Sequence, residues 1–278
     1  MILSFAPATP GASAAAWALG VPSVLAIASY LAAAAVSERL AGGLRVALLV
    51  GWIAHAVAIF VDIAGVGSGS VVARFGFAPA LSMTLWLVLG VYVVESRIVP
   101  LPGARRTLAL LGVLVVVLAW LFPGELRPHV ASRWAPVHWA LGIASYGLFG
   151  AAVLHAAMLN RAERMMRPGA LGPASATKGL PLLQLERMTF RFVAAGFVVL
   201  SATLLLGAWY ADPWRWDHKT VFSVLGWLVF AGLLAGRHSF GWRGPAATRW
   251  VYAGAALLLL AYVGSRFVLE VLLHRTLS

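Results

Sequence analysis

Eight stretches of this chain stay apolar for long enough to cross a lipid bilayer, near residues 17–36, 46–63, 79–94, 107–122, 137–159, 192–209, 220–236 and 250–272. A hydrocarbon core about 30 Å thick takes about 20 residues of helix to cross. Eight such spans and short connections use nearly all of the 278 residues. Backbone polar groups in lipid have no water to bond and must be satisfied within each segment, so the spans are helices. The expected fold is all-α: a polytopic integral membrane bundle of eight transmembrane helices, a single domain over residues 1–278. Charged residues make up 11% of the chain, roughly half the usual fraction in soluble domains.

The connections alternate in charge. Fourteen of the 21 Lys and Arg residues, from Arg39 and Arg45 through Arg161, Arg164 and Arg167 to Arg237, Arg243 and Arg249, fall in every second connection. By the positive-inside rule that side is cytoplasmic, which puts both termini outside, on the periplasmic face. The net charge of +12 is therefore a topological signal, helped by anionic membrane lipids; no nucleic-acid partner is expected. The opening MILSFAPATPGASAAAWALG lacks the basic region of a secretory signal, so the first run is expected to be a retained span. With no cysteine, the chain has no disulfide, thiolate chemistry or thiol-ligated metal of its own. The run Gly65 to Ser70 lacks the Lys-Ser/Thr ending of a phosphate-binding loop.

The longest connection, about 160–191, is expected to begin as a basic helix continuing span five over Asn160 to Arg167 and to end as the amphipathic start of span six over Leu185 to Arg191. Gly169 to Gly179 reads as a linker between them. No repeat of fixed period suggests an inverted-repeat transporter.

One outer connection reads Trp209-Tyr210-Ala211-Asp212-Pro213-Trp214-Arg215-Trp216-Asp217-His218-Lys219. Its tryptophans fit an aromatic belt at the membrane interface. They also fit an indole platform for a flat ligand, with Arg215 and Lys219 available to carboxylates. Histidines surround this loop: His138 opens span five, His274 closes span eight, His218 lies within the loop and His129 in the preceding outer connection. A deeper group comprises His55 in span two and His155 and His238 near the cytoplasmic ends of spans five and seven. The 17-residue step from His138 to His155 covers about 25 Å of helix.

Polar side chains inside lipid are costly and mark sites or pathways. A single histidine is explained by hydrogen-bonded packing; two layers suggest iron ligation, for which neutral imidazole is suited. In span eight, Arg266, Glu270 and His274 are spaced by four and share a stripe. Arg266 can pair with Glu270, and Glu270 can orient His274 towards a metal. His55 and Asp62, seven apart, also share a face.

These segments together resemble the haem-handling cytochrome c assembly proteins of the CcsA/CcmC type, and within them the YpjD/HemX-like branch. The resemblance covers most of the chain and rests on Trp134 to Phe149 (WAPVHWALGIASYGLF), Leu185 to Phe192, Gly207 to Trp227 and Arg237 to Arg266. It implies a bacterial inner-membrane protein that binds haem b and presents it for cytochrome c maturation. It implies axial roles for His138 and His274 around the outer loop, a membrane role for His238 and, more loosely, for His55. Trp209, Trp214, Trp216 and Asp217 would hold the porphyrin, and Arg266 would support the site. The family's usual WGxYWxWDxKE is shortened here, and His218-Lys219-Thr220 stands where Pro-Lys-Glu is usual. The implied partners are a second cytochrome c assembly protein and apocytochrome c; no enzymatic activity is expected of this chain on its own, and a place as a subunit of a haem-attachment (cytochrome c synthase) system stays open. A haem-linked regulatory protein without assembly activity is the alternative that the divergent loop favours. A transporter of another solute is disfavoured by the few intramembrane carboxylates.

Overall fold

The computed structural model describes residues 10–35, 41–65, 74–97, 104–126, 134–166, 182–210 and 216–272. Its helices are α1 (Pro10–Ala35), α2 (Ala41–Ile63), α3 (Phe77–Glu95), α4 (Ala104–Leu121), α5 (Ala135–Met165), α6 (Leu182–Tyr210), α7 (His218–Phe240) and α8 (Gly244–Leu259). Beyond α8 the chain continues as a π-helical turn (Leu260–Gly264), one α turn (Ser265–Phe267) and a second π segment (Val268–Leu272). Among the described residues eight helices are long and apolar enough to span a membrane, the last running Gly244–Leu272. All eight expected spans are present.

Several helices outrun their apolar windows. α5 continues to Met165 and α6 starts at Leu182. Their arginine-bearing turns at that end keep helical hydrogen bonding while long side chains reach for headgroups. The expected basic continuation of span five and amphipathic start of span six are both helical; the linker between them lies outside the described residues.

Successive helices run antiparallel, which divides the bundle into two ends. One, the basic end, holds Arg45, Arg105, Arg161, Arg187, Arg237 and Arg249. The other, the Trp-loop end, holds the last turn of α6 and the first turns of α5 and α7. There a two-stranded antiparallel sheet joins β1 (Arg74–Phe75) to β2 (Glu125–Leu126), pairing Arg74 with Leu126 and Phe75 with Glu125. The approach is close: a Cβ on Gly124 would lie 2.6 Å from the Phe75 carbonyl carbon.

Two apolar cores correspond to two halves. In α1–α4 the core centres on Tyr30, whose ring is sandwiched between Gly51 and Gly112; a Cβ at either would come within 2.8 Å of it. Small residues of this kind let membrane helices pack by shape where lipid supplies no hydrophobic drive. Trp52 and Trp86 add a reciprocal clasp between α2 and α3. Their rings stack at 4.9 Å, and each indole N–H donates to the other's backbone carbonyl, at 2.9 and 3.0 Å. In α5–α8 the core is built on Phe149 and Phe230, stacked at 3.9 Å. The halves meet mainly where α3 lies along α5.

Candidate functional site at the Trp-loop end

His138 lies in the first turn of α5, half-buried against α6, with Nδ1 3.1 Å from the Thr203 carbonyl oxygen. A carbonyl only accepts, so Nδ1 carries the proton and donates it, leaving Nε2 as the acceptor nitrogen. Room for the ring comes from Gly207, one turn beyond Thr203, where a Cβ would lie 2.9 Å from His138 Cε1. A backbone carbonyl and a missing side chain on α6 thus fix both the tautomer and the direction of this imidazole. Neighbouring Trp139 packs on Phe75 of β1 at 4.6 Å, tying the start of α5 to the sheet.

Two residues past Gly207, Trp209 is 85% exposed on the last turn of α6, and Trp216 is 68% exposed just before α7. Both indoles are presented outward. Asp217 is the N-cap of α7, accepting from Thr220 N and Thr220 Oγ1 at 2.9 Å each. Burial pushes its carboxyl up, but the two Thr220 hydrogen bonds and the charges of Lys219 and His218 outweigh this and hold it below the ordinary carboxylate range. Asp217→Ala should therefore cost about 1 kcal/mol in the first turn of α7, seen as faster amide exchange at Thr220 and Val221. With a lowered folded-state pKa, the cap's contribution is complete above the unfolded value of about 4. It is lost as pH falls through the lower folded value.

The extension of α8 closes this end. Arg266 is buried, with Nη1 3.8 Å from Glu270 Oε1. Glu270 Oε2 accepts a long hydrogen bond from Phe77 N at 3.5 Å, placing a carboxylate at the positive N-terminus of α3. The expected Arg266–Glu270 pair is formed, but across the junction of the short α turn that holds Arg266 and the π segment that holds Glu270. Where the winding changes, the Leu258 carbonyl accepts from the Tyr146 hydroxyl. π turns of this sort are frequent at functional sites. His274, Trp214, Arg215 and His129 lie outside the described residues.

The remaining histidines are placed apart. His55 is buried in the first half, its Nδ1 3.1 Å from Tyr30 Oη and its Nε2 2.8 Å from Ser82 Oγ. It lines a cavity of about 20 Å³ together with Asp62 and Ser23, so the shared face expected for His55 and Asp62 holds. Asp62 faces Arg74 at 3.9 Å. His238 is exposed on the last turn of α7 at the basic end, next to Arg237, which pairs with Glu186 at 2.7 Å. That turn stops at Gly241, in the left-handed region at φ 65°. His55 and His238 therefore sit in different halves and at different depths, and the fold does not bring them together.

A pairing that sequence spacing does not reveal lies between the halves. His155 Nε2 is 2.9 Å from Glu95 Oε2, its Nδ1 is 2.8 Å from the Ala151 carbonyl oxygen, and its ring packs on Phe192 at 5.1 Å. The partners are 60 residues apart in sequence, and only the packing of α3 on α5 joins them. Among the described residues no group of three or more His, Cys, Asp or Glu side chains gathers as a metal site.

Fold and site define a class: a polytopic helical membrane protein that holds an oriented imidazole at one end of its bundle, the end that also presents two exposed indoles. The family described as Cytochrome C assembly protein matches residues 23–273, and the chain belongs to that family. It is 28% identical over 235 residues to "Inner membrane protein YpjD" of Escherichia coli (strain K12), covering 82% of this chain and 86% of that protein. It is 23% identical over 223 residues to a "Cytochrome c biogenesis protein CcsA" of Prochlorococcus marinus, covering 68% and 71%. An "Uncharacterized 28.8 kDa protein in nifR3-like 5'region" of Azospirillum brasilense is 36% identical over 149 residues, covering 50% and 53%. No solved structure matches the chain.

Proposed function

We propose that this protein handles haem b at its Trp-loop end for cytochrome c maturation, as a multi-pass protein of the bacterial inner membrane. Family membership and the similarity to a cytochrome c biogenesis protein support the role. The relative named as an inner membrane protein supports the location, and the positive-inside rule puts the basic end in the cytoplasm and both termini outside.

The single observation that carries the haem assignment is the fixed ring of His138, whose Nδ1–H is engaged by the Thr203 carbonyl. That hydrogen bond orients Nε2 and raises its basicity towards iron. Iron porphyrin, when bound, supplies the group to be attached to the cytochrome. His138 would provide one axial nitrogen. Trp209 and Trp216 would offer flat apolar surface at the same end of the bundle, and Asp217 would hold the start of α7 in register. His274, which follows Glu270 by four residues in the sequence, is the proposed second axial residue. His55 and His238 are retained as separate candidate ligands, each outside the Trp-loop site. Trp214 belongs to the proposed platform by its place in the sequence. A second assembly protein and apocytochrome c would complete the reaction, since this chain brings no thiol.

Purified protein titrated with haem b should develop a Soret band. His138→Ala should reduce it at least about tenfold, the usual scale for loss of a ligand or its orienting partner. A band unaltered in His138→Ala removes the assignment. If haem is bound but c-type cytochrome is unchanged when the gene is deleted, the role is that of a haem-linked accessory protein.

A further inference from the structure

The seam between the two halves contains a cleft of about 470 Å³, within the range of ligand sites and away from the Trp-loop site. Its floor is the α3–α5 contact, where a Cβ on Gly150 would lie 2.6 Å from Val88 Cγ2. α4 packs on α1 and α3, while α8 packs on α5 and α7, so the two form walls on either side of that floor. The lining is almost wholly apolar. Its few hydroxyls include Thr84, which donates to Ala80 O, and Tyr146, which donates to the Leu258 carbonyl. Both of these hydroxyl protons are engaged within the protein, which leaves Thr107 and Arg161 as the lining's remaining polar donors. Leu111 and Leu259, on opposite walls, are each 40% exposed, so the cleft opens sideways towards lipid.

Two features identify the occupant. The first is length. Along α5 the lining runs from Tyr146 to Arg161, a step of fifteen residues and about 22 Å of helix. One leaflet with its headgroup layer is about 20–22 Å deep, half of the 40–45 Å bilayer. The second is charge. Arg161 lines the cleft at the basic end, where the headgroup of a lipid in that leaflet would lie. A guanidinium pairs with phosphate through parallel N–H···O bonds. Basic pockets between membrane helices are a recognised way of holding anionic headgroups.

The geometry points to a bound anionic phospholipid, with one acyl chain between α4 and α8 along the α3–α5 seam and its phosphate on Arg161. The lipid fills the space between the halves that no side chain fills, and it ties their contact to the composition of the leaflet at the basic end.

The test uses the full-length protein, stripped of lipid by detergent exchange and titrated with phosphatidylglycerol or phosphatidylcholine under native mass spectrometry. The expected result is a retained phosphatidylglycerol adduct favoured about five-fold over phosphatidylcholine, the scale of one arginine at an anionic surface. Arg161→Gln should remove the preference, while Arg249→Gln, at the same end but outside the cleft, should keep it. Ala157→Trp or Ala255→Trp, each placing an indole in the cleft, should lower retention of both lipids. Persistence of the preference in Arg161→Gln overturns the proposal, as does equal loss in Arg249→Gln or undiminished retention in both tryptophan variants. A Soret band lost in the tryptophan variants with His138 intact would assign the cleft to porphyrin and overturn it as well.

Discussion

Gly207→Ala should leave the bundle folded and still abolish haem ligation by His138. Alanine is the better helix former by about 1 kcal/mol, so α6 itself gains. The new Cβ, however, would stand 2.9 Å from His138 Cε1. The movable partner in that clash is the imidazole, which swings away rather than forcing α6 aside. It then loses its bond to the Thr203 carbonyl, worth about 1 kcal/mol net. The two effects offset each other, and the melting temperature should stay within a few degrees of the parent. The Soret band of the haem-titrated protein should instead fall to the level of His138→Ala. Thr203→Ala is the matched control: the acceptor is a backbone carbonyl, so this variant should bind haem as the parent does. A normal spectrum from Gly207→Ala would show that the ring's direction is not what the site depends on.

His155→Leu should be the most destabilising of these variants. The Ala151 carbonyl can only accept, so His155 donates to it from Nδ1, and its Nε2 faces the Glu95 carboxyl 2.9 Å away. Replacing the imidazole by leucine leaves the carboxyl without this partner at the junction of α3 and α5. Removing one member of a buried pair costs about 3–5 kcal/mol. Glu95 is partly exposed, with 21% of its side chain accessible, so a loss of about 3 kcal/mol, the low end of that range, is expected. Glu95→Gln should cost under about 1 kcal/mol, because the amide N–H can donate to neutral Nε2. Denaturation midpoints in detergent, measured side by side, decide the matter: equal losses in the two variants would mean that charge, not the hydrogen bond, holds the junction.

Much of the Trp-loop end was legible in the sequence because its features are local. Arg266–Glu270 is one turn of helix, whereas the Asp217–Thr220 cap, though only three residues long, was not read from the sequence. The shared face of His55 and Asp62 follows from a seven-residue step. The direction of His138 was not legible, since it depends on a carbonyl and a glycine on another helix. Nothing in the spacing of His155 announced Glu95, and nothing around Trp52 announced its exchange of hydrogen bonds with Trp86.

Residue order alone specifies that there are eight helices long and apolar enough to span a membrane, where they begin and end to within a turn or two, and which ends carry the arginines. These follow from hydropathy, charge and the demand that each backbone satisfy itself in lipid, all properties of one segment at a time. Three-dimensional packing was needed to show that the helices form two cores meeting at α3 and α5, that His55 and His238 stay apart, and that the end of the last span winds as a π-helix. Lipid is as apolar as the helices it surrounds, so partner choice rests on close packing at glycines and on a few interhelical hydrogen bonds. Such contacts join residues tens or hundreds of positions apart, and no local pattern records them.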